Sequence, residues 1–276
     1  MEIPDNLYHY TSIESLVYIL STQEIKFNRL DKMDDILEGD IEDIKNISQY
    51  YYISSWTEDN IESIPFWKMY TPNMKGVRIA LPPFPFIYYS QEKNNSIKLL
   101  EHQEITDNNN LFPVHPKLFF TNYKFNREIS AIFFPCNDYL YKIEYVEYDN
   151  YNKPEYCFFS KGITGLNNNI GKVKISQWKF QKEWRYRLNF IPWIFFSIEN
   201  SKSFKEKFDI WSNDINEKPN NIEQIYMKIS DNAFKKMEIT LGPNTTKADK
   251  LIVESIVDKY NPNILISESQ LKGKVR

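Results

Sequence analysis

"LYHYTSIESLVYIL", residues 7–20, begins as an aromatic run and turns at once into a helix signature. Residues 7–10 read as a short strand. "TSIE" then reads as a capping box, in which Thr11 accepts from the amide of Glu14 and Glu14 reaches back to the amide of Thr11. Ile13, Leu16, Val17 and Leu20 recur at helical spacing and predict one buried stripe. His9 thus stands two residues before a predicted helix start, where free amides and the macrodipole favour an anion. Its neighbours Tyr8 and Tyr10 suit stacking on a flat ring, and a neutral imidazole can donate to a ribose hydroxyl near pH 7. The competing reading is a strand histidine held by a neighbouring carbonyl.

Working outward, "IKFN" (25–28) reads as a second strand. "DKMDDILEGDIED" (31–43) is an acidic loop-to-helix stretch that does not follow the order of a calcium loop, and reads as a solvated face. "YYYISSWT" (50–57) is a strand. "SIPFWKMY" (63–70) is a short helix with Ser63 as N-cap and Pro65 in its first turn. Trp67 and Tyr70 fall on one side of that helix, where core packing competes with function. "VRIAL" (77–81) is a strand, and 139–149 alternates with Tyr139, Tyr141, Ile143 and Tyr145 on one face. In "WKFQKEWRYRLNF" the strand from 183 puts Trp184, Tyr186, Leu188 and Phe190 on one face and Glu183, Arg185 and Arg187 on the other. Strands at "EQIYMKI" and "EITLGP" follow. Next comes a helix in "TTKADKLIVESIVDKY" with Ala248, Leu251, Ile252 and Ile256 inward, then a last strand, "NILIS", and a basic tail. Scattered strands, short helices and no βαβ rhythm predict an α+β fold in one domain, with 191–221 an insertion.

The bulk numbers agree. Aromatic residues make up 16% of the 276, with 19 Tyr, 19 Phe and only 7 Gly, a balance that favours strands. A net charge of −3 gives no global field toward nucleic acid or an anionic membrane. No apolar run approaches the about 18 residues of a membrane span, and "MEIPDN" lacks a secretory pattern. These features predict a cytoplasmic protein with Cys136 and Cys157 reduced. His9, His102 and His115 show no ligand spacing, so no metal is expected. A Gly-x-Ser-x-Gly elbow and a Gly-x-Gly-x-x-Gly fingerprint are absent, and "GLNNNIGKV" has one residue too many between its glycines for a phosphate loop.

Glu183 has two readings. One is a surface ion pair with Arg185 or Lys179, worth about 0–1 kcal/mol. The other is a carboxylate that binds a sugar hydroxyl and steadies an oxocarbenium-like centre, with the arginines of "WRYR" holding pyrophosphate or a nucleic-acid acceptor.

The order of motifs resembles the bacterial domain-of-unknown-function family labelled DUF 2971. The pieces that carry the resemblance are "LYHYTSIESLVYIL", "IKFNRLDKMDDILEGD", "YYISSWTED", "PFWKMYTPNMKGVRI", "WKFQKEWRYRL", "EITLGPNTTKADKLI" and "ISESQLKGKVR". They cover most of the chain outside 82–138 and 191–221, which then stand as family-variable insertions. That family looks like a distant branch of the ADP-ribosyltransferase-like superfamily. The resemblance implies a split, strongly bent β-sheet around a nicotinamide-dinucleotide cleft, with helical insertions. It implies that His9-Tyr10-Thr11 binds the adenosine ribose and that Glu183 holds the nicotinamide ribose and promotes transfer. Tyr70 would stack on nicotinamide, with Trp67 and Tyr52 as alternatives, and Arg78 and Arg185 would contact phosphate. Tyr10 stands where superfamily members often have Gly, which narrows the cleft.

On this resemblance the chain is expected to cleave the nicotinamide–ribose bond of NAD and pass ADP-ribose to a protein, a nucleic acid or water, as a bacterial toxin or phage-defence effector would. The rival expectation is a non-catalytic nucleotide- or RNA-binding module on the same scaffold, because basic and aromatic residues interleave in "WKFQKEWRYR". A third is an interaction protein docking through 31–43.

Overall fold

Leu7–Thr11 forms the first strand, β1, and Ile13–Thr22 the first helix, α1, as the opening stretch predicts. The cap differs by one residue. Ser12, not Thr11, closes the helix, its hydroxyl accepting from the Ser15 amide, because the backbone of Thr11 is committed to the ladder opposite Val77. The buried stripe is Leu16, Ile19 and Leu20, and Val17 is turned outward.

The structure, a computed structural model, describes residues 2–91, 97–100, 111–112, 129–132, 139–160, 163–166, 169–192 and 202–275. After α1 come β2 (Glu24–Arg29), β3 (Tyr51–Thr57), α2 (Ile64–Tyr70), β4 (Val77–Leu81), β5 (Tyr88–Gln91), β6 (Ile97–Leu100), β7 (Leu111–Phe112) and β8 (Ile129–Ile132). The next elements are β9 (Leu140–Lys142), β10 (Glu144–Val146), β11 (Cys157–Ser160), β12 (Ile163–Leu166), β13 (Val173–Ile175) and β14 (Glu183–Pro192). The chain finishes with α3 (Phe204–Glu217), β15 (Gln224–Lys228), α4 (Asp231–Lys235), β16 (Glu238–Leu241), α5 (Lys247–Tyr260) and β17 (Leu265–Glu268). His102, His115 and Cys136 lie outside the described residues, as does most of 82–138.

Ten strands build one large, bent, mixed sheet, the frame of an α+β architecture. Its main path is β15-β2-β3-β1-β4-β16-β17, and β14 attaches to β3 while carrying β8 and β9 on its other edge. Along the path only β16 and β17 run parallel. The order works because Gly76 lets the start of β4 close onto β1: a Cβ there would stand 2.2 Å from the Thr11 carbonyl oxygen.

β14 shows how one strand serves two layers. Trp184, Tyr186, Leu188 and Phe190 enter the main apolar core with Phe27, Tyr52 and Phe86, each such burial stabilising by about 1.5–3 kcal/mol. The alternate residues Glu183, Arg185, Arg187 and Asn189 are also buried, and form a polar layer on the opposite face.

Three expectations need correction. The alternating stretch 139–149 is two short strands with different partners: β9 pairs with β14, and β10 runs parallel to β13. On α5 the buried positions are Val253 and Val257; Ala248, Leu251 and Ile252 face outward, and the element packed beside the helix is α1. The acidic stretch 31–43 is not a solvated face. It contributes short 3₁₀ turns (Leu30–Lys32 and Ile36–Gly39); it buries Glu38, which has cationic partners inside, and Asp35, whose carboxylate caps the second turn by accepting from the Leu37 amide. Within 191–221, Ser203 and Glu206 cap α3, which packs Phe208, Trp211 and Ile215 inward.

Candidate functional site

The site begins with an irregularity in the sheet. β14 pairs along the whole of β3, so β1 and β2 must share the other edge. β2 takes Tyr52 and Ile53, β1 takes Thr57, and Ser54, Ser55 and Trp56 are left without a strand partner there. Both newcomers run antiparallel to β3, joined by α1, and they part where this gap opens. A cavity of about 550 Å³ occupies the split, within the about 300–1,000 Å³ of small-molecule sites. β1, β2, β3, one flank of α1 and the end of α2 form its walls.

His9 borders this cavity and spans the gap, its Nδ1 3.0 Å from the Ser55 carbonyl oxygen. A carbonyl only accepts, so Nδ1 carries the proton, and Nε2 of the neutral ring is an acceptor. The sequence expectation of a donating imidazole is thereby reversed at this atom: His9 would accept from a sugar hydroxyl. Burial lowers its pKa, the Ser55 carbonyl partly offsets that, and the cation of Lys26 lowers it further. The ring lies 5.1 Å from Trp56, tilted by 37°.

Glu183 borders the same cavity although its side chain is only 4% exposed. Arg185 Nε donates to its Oε1 at 2.6 Å and Lys174 Nζ stands 2.8 Å from its Oε2. Lys174 also reaches Glu38 at 3.1 Å, and Glu38 clasps the Arg185 guanidinium through both oxygens. Two carboxylates thus meet two cations away from water, which supports the charges only because every one is paired. Burial alone would raise the Glu183 pKa; Arg185 and Lys174 outweigh it and hold the carboxyl at about 2. The group is therefore a fixed anion at neutral pH. It accepts three hydrogen bonds out of the about four a carboxylate can take, leaving one.

A relay leads from this cluster to α2. Lys174 Nζ donates to Gln181 Oε1 at 2.9 Å, and Gln181 Nε2 donates to the Tyr70 hydroxyl at 2.8 Å. Burial, then the carboxylates of Asp34 and Glu183, raise the Tyr70 phenol above its ordinary value.

The sequence candidates separate cleanly. His9, Tyr10, Thr11, Tyr70 and Glu183 border the cavity. Trp67 is fully buried against Tyr10, its Nε1 donating to Glu62, and Tyr52 is buried with its hydroxyl on the Ile222 carbonyl. Arg78 lies outside the cavity lining, over the Tyr8 ring, and donates to the Asn60 carbonyl. Arg185 is fully buried and spends its five N–H donors on Glu183, Glu38 and the Gly171 carbonyl, so none is left for a phosphate. Glu183 likewise has a buried cluster in place of a surface ion pair, and Lys174, not Lys179, is its lysine partner.

Sequence reasoning missed Glu38, Lys174 and Gln181. Lys174 and Gln181 carry no periodic or motif signal, and Glu38 is hidden in a run of like charges. Lys26 and Asn28 also border the cavity, and their two-residue spacing on β2 is a signal that was available. Among the described residues no group of His, Cys, Asp and Glu could hold a metal, and no helix is long and apolar enough to cross a membrane. Comparison with protein-family models, with curated proteins and with solved structures returns no match.

Proposed function

We propose that the chain is an ADP-ribosyltransferase-like enzyme that binds NAD in the split of the sheet and cleaves its nicotinamide–ribose bond. The observation that supports this best is convergence: an imidazole from β1 and a carboxylate from β14, 174 residues apart, border one aromatic-walled cavity. His9 Nε2 accepts from a ribose hydroxyl, and Tyr70 with Phe66 offers the ring surface for nicotinamide. Glu183 takes a hydroxyl of the other ribose on its one free acceptor position. Its permanent negative charge favours the oxocarbenium-like centre as nicotinamide leaves. With a pKa of about 2 it orients and stabilises, and donates no proton at neutral pH.

The test is nicotinamide release from NAD by purified protein, with and without protein and nucleic-acid acceptor pools, for wild type, Glu183→Gln and Tyr70→Phe. Loss of release in folded Glu183→Gln by about 10²-fold or more supports the reading. Equal release in wild type and Glu183→Gln, or none in wild type, ends it. A second reading, a nucleotide-binding module without chemistry, is favoured by the neutralisation of Glu183 by Arg185 and Lys174. It expects nucleotide binding that Glu183→Gln leaves unchanged and no release at all.

A further inference from the structure

Nicotinamide placed against Tyr70 and Phe66 occupies the cavity's rings on the α2 side and leaves a second aromatic wall without a role. Tyr18 of α1 and Tyr226 of β15 also border the cavity, with ring centroids 5.0 Å apart at 44°. Phe66 and Tyr70 form the other pair at 5.4 Å, also at 44°. Among the described residues no ring contact joins the two pairs, which belong to different walls: α1 and β15 accompany β2, whereas α2 packs on β1. Tyr18 is 40% exposed, so its ring is open to a visitor.

Charge points the same way. Glu14 and Asp34 border the cavity and would repel an anion. Against them stand Lys26, opposite Tyr226 in the β2–β15 ladder, and Lys32, in the turn after β2. Neither ammonium has a carboxylate partner among the described residues, whereas Lys174, the third lysine of the lining, is consumed by Glu38 and Glu183. With Arg185 saturated and Arg78 outside the lining, these two lysines are the cavity's available cations among the described residues. Flexible ammonium groups neutralise phosphate as point charges, without the fixed geometry a guanidinium demands.

We propose that the cavity is a two-ring site for a dinucleoside diphosphate, in which the Tyr18–Tyr226 wall receives the purine while Lys26 and Lys32 neutralise the diphosphate. This rests on reading the site as an NAD site, which sends the nicotinamide to Tyr70 and leaves the adenine for the other wall. Tyr18, Lys26 and Lys32 are all exposed, so substitutions there leave the core packing in place.

Calorimetric titration separates this from the broader reading. The probes are ADP-ribose, which has the purine and diphosphate, and nicotinamide mononucleotide, which lacks the purine. The proteins are wild type, Tyr18→Ala and the double variant Lys26→Gln/Lys32→Gln, each checked for an unchanged melting temperature. ADP-ribose should bind about tenfold weaker to each variant, whereas Tyr18→Ala should change mononucleotide affinity by less than about twofold. ADP-ribose binding that is unchanged in both variants overturns the assigned wall and lysines while leaving the NAD reading intact. Equal weakening of both probes by Tyr18→Ala also overturns it. No ADP-ribose binding to wild type sinks this proposal and counts against the NAD reading too.

Discussion

Along one edge of β3 seven consecutive residues pair with β14; along the other, β2 takes two and β1 takes one. The zipped edge satisfies its backbone internally, so β14 can bury an apolar face and an ionic face at once. The open edge leaves Ser54–Trp56 to side chains, and His9 claims the Ser55 carbonyl. One strand thus separates scaffold from site. Rigidity comes from the continuous ladder, and the cavity from its interruption. Glu183 is where the two meet, held from the scaffold side and presented on the cavity side.

The largest effect expected on the zipped side is from Glu38→Ala. It leaves Arg185 and Lys174 sharing one carboxylate in a buried setting, and should cost about 3–5 kcal/mol in urea unfolding. A loss under about 1 kcal/mol would mean that water reaches the cluster. Next comes acid. The Glu183 carboxyl ionises at about 2 when folded against an ordinary 4.5, so between those values the unfolded chain binds more protons than the folded one. The stability it contributes is complete above about pH 4.5 and is lost as pH falls toward 2, on the order of 3 kcal/mol in all. Glu183→Gln should flatten that limb of a stability-against-pH curve measured at fixed salt.

On the open side the effects are smaller. His9→Ala removes one side-chain hydrogen bond and a ring contact, and should cost about 1–2 kcal/mol by thermal or urea unfolding. Because burial lowers the folded His9 pKa below 6.5, wild type loses stability as pH falls through and below 6.5, and His9→Ala should lose that slope. Smallest of all is Lys182→Ala. This residue immediately precedes Glu183 and β14, but its side chain is 52% exposed and its ammonium pairs with Asp59 near the surface. A change below about 1 kcal/mol, shrinking further in added salt, would show that burial and not nearness to β14 sets the difference.

Much of this was legible in the chain itself. Alternation placed both faces of β14, and Ser63 with Pro65 placed α2, because strand pleat and helix caps are local physics. The α5 stripe differs from its expected place because a helix's inner face is chosen by what packs against it, here α1 from the far end of the chain, so Leu251 and Ile252 stay outward while Val253 and Val257 go in. Glu38 was misread for a related reason. Its neighbours are acidic, and the partners that justify its burial lie more than 130 residues further along the chain.

By itself, then, the order of residues determined the strands of the sheet's main path, β14, the helices α1, α2 and α5, and which side chains could bear chemistry. It could not determine which of those candidates face a common space. Arg185 and Glu183 are two residues apart on the same strand face, yet one is sealed among carboxylates and the other reaches the cavity. That distinction depends on what packs against the strand from far away, because the desolvation of a charge and the donors left free on it are properties of its surroundings and not of the residue.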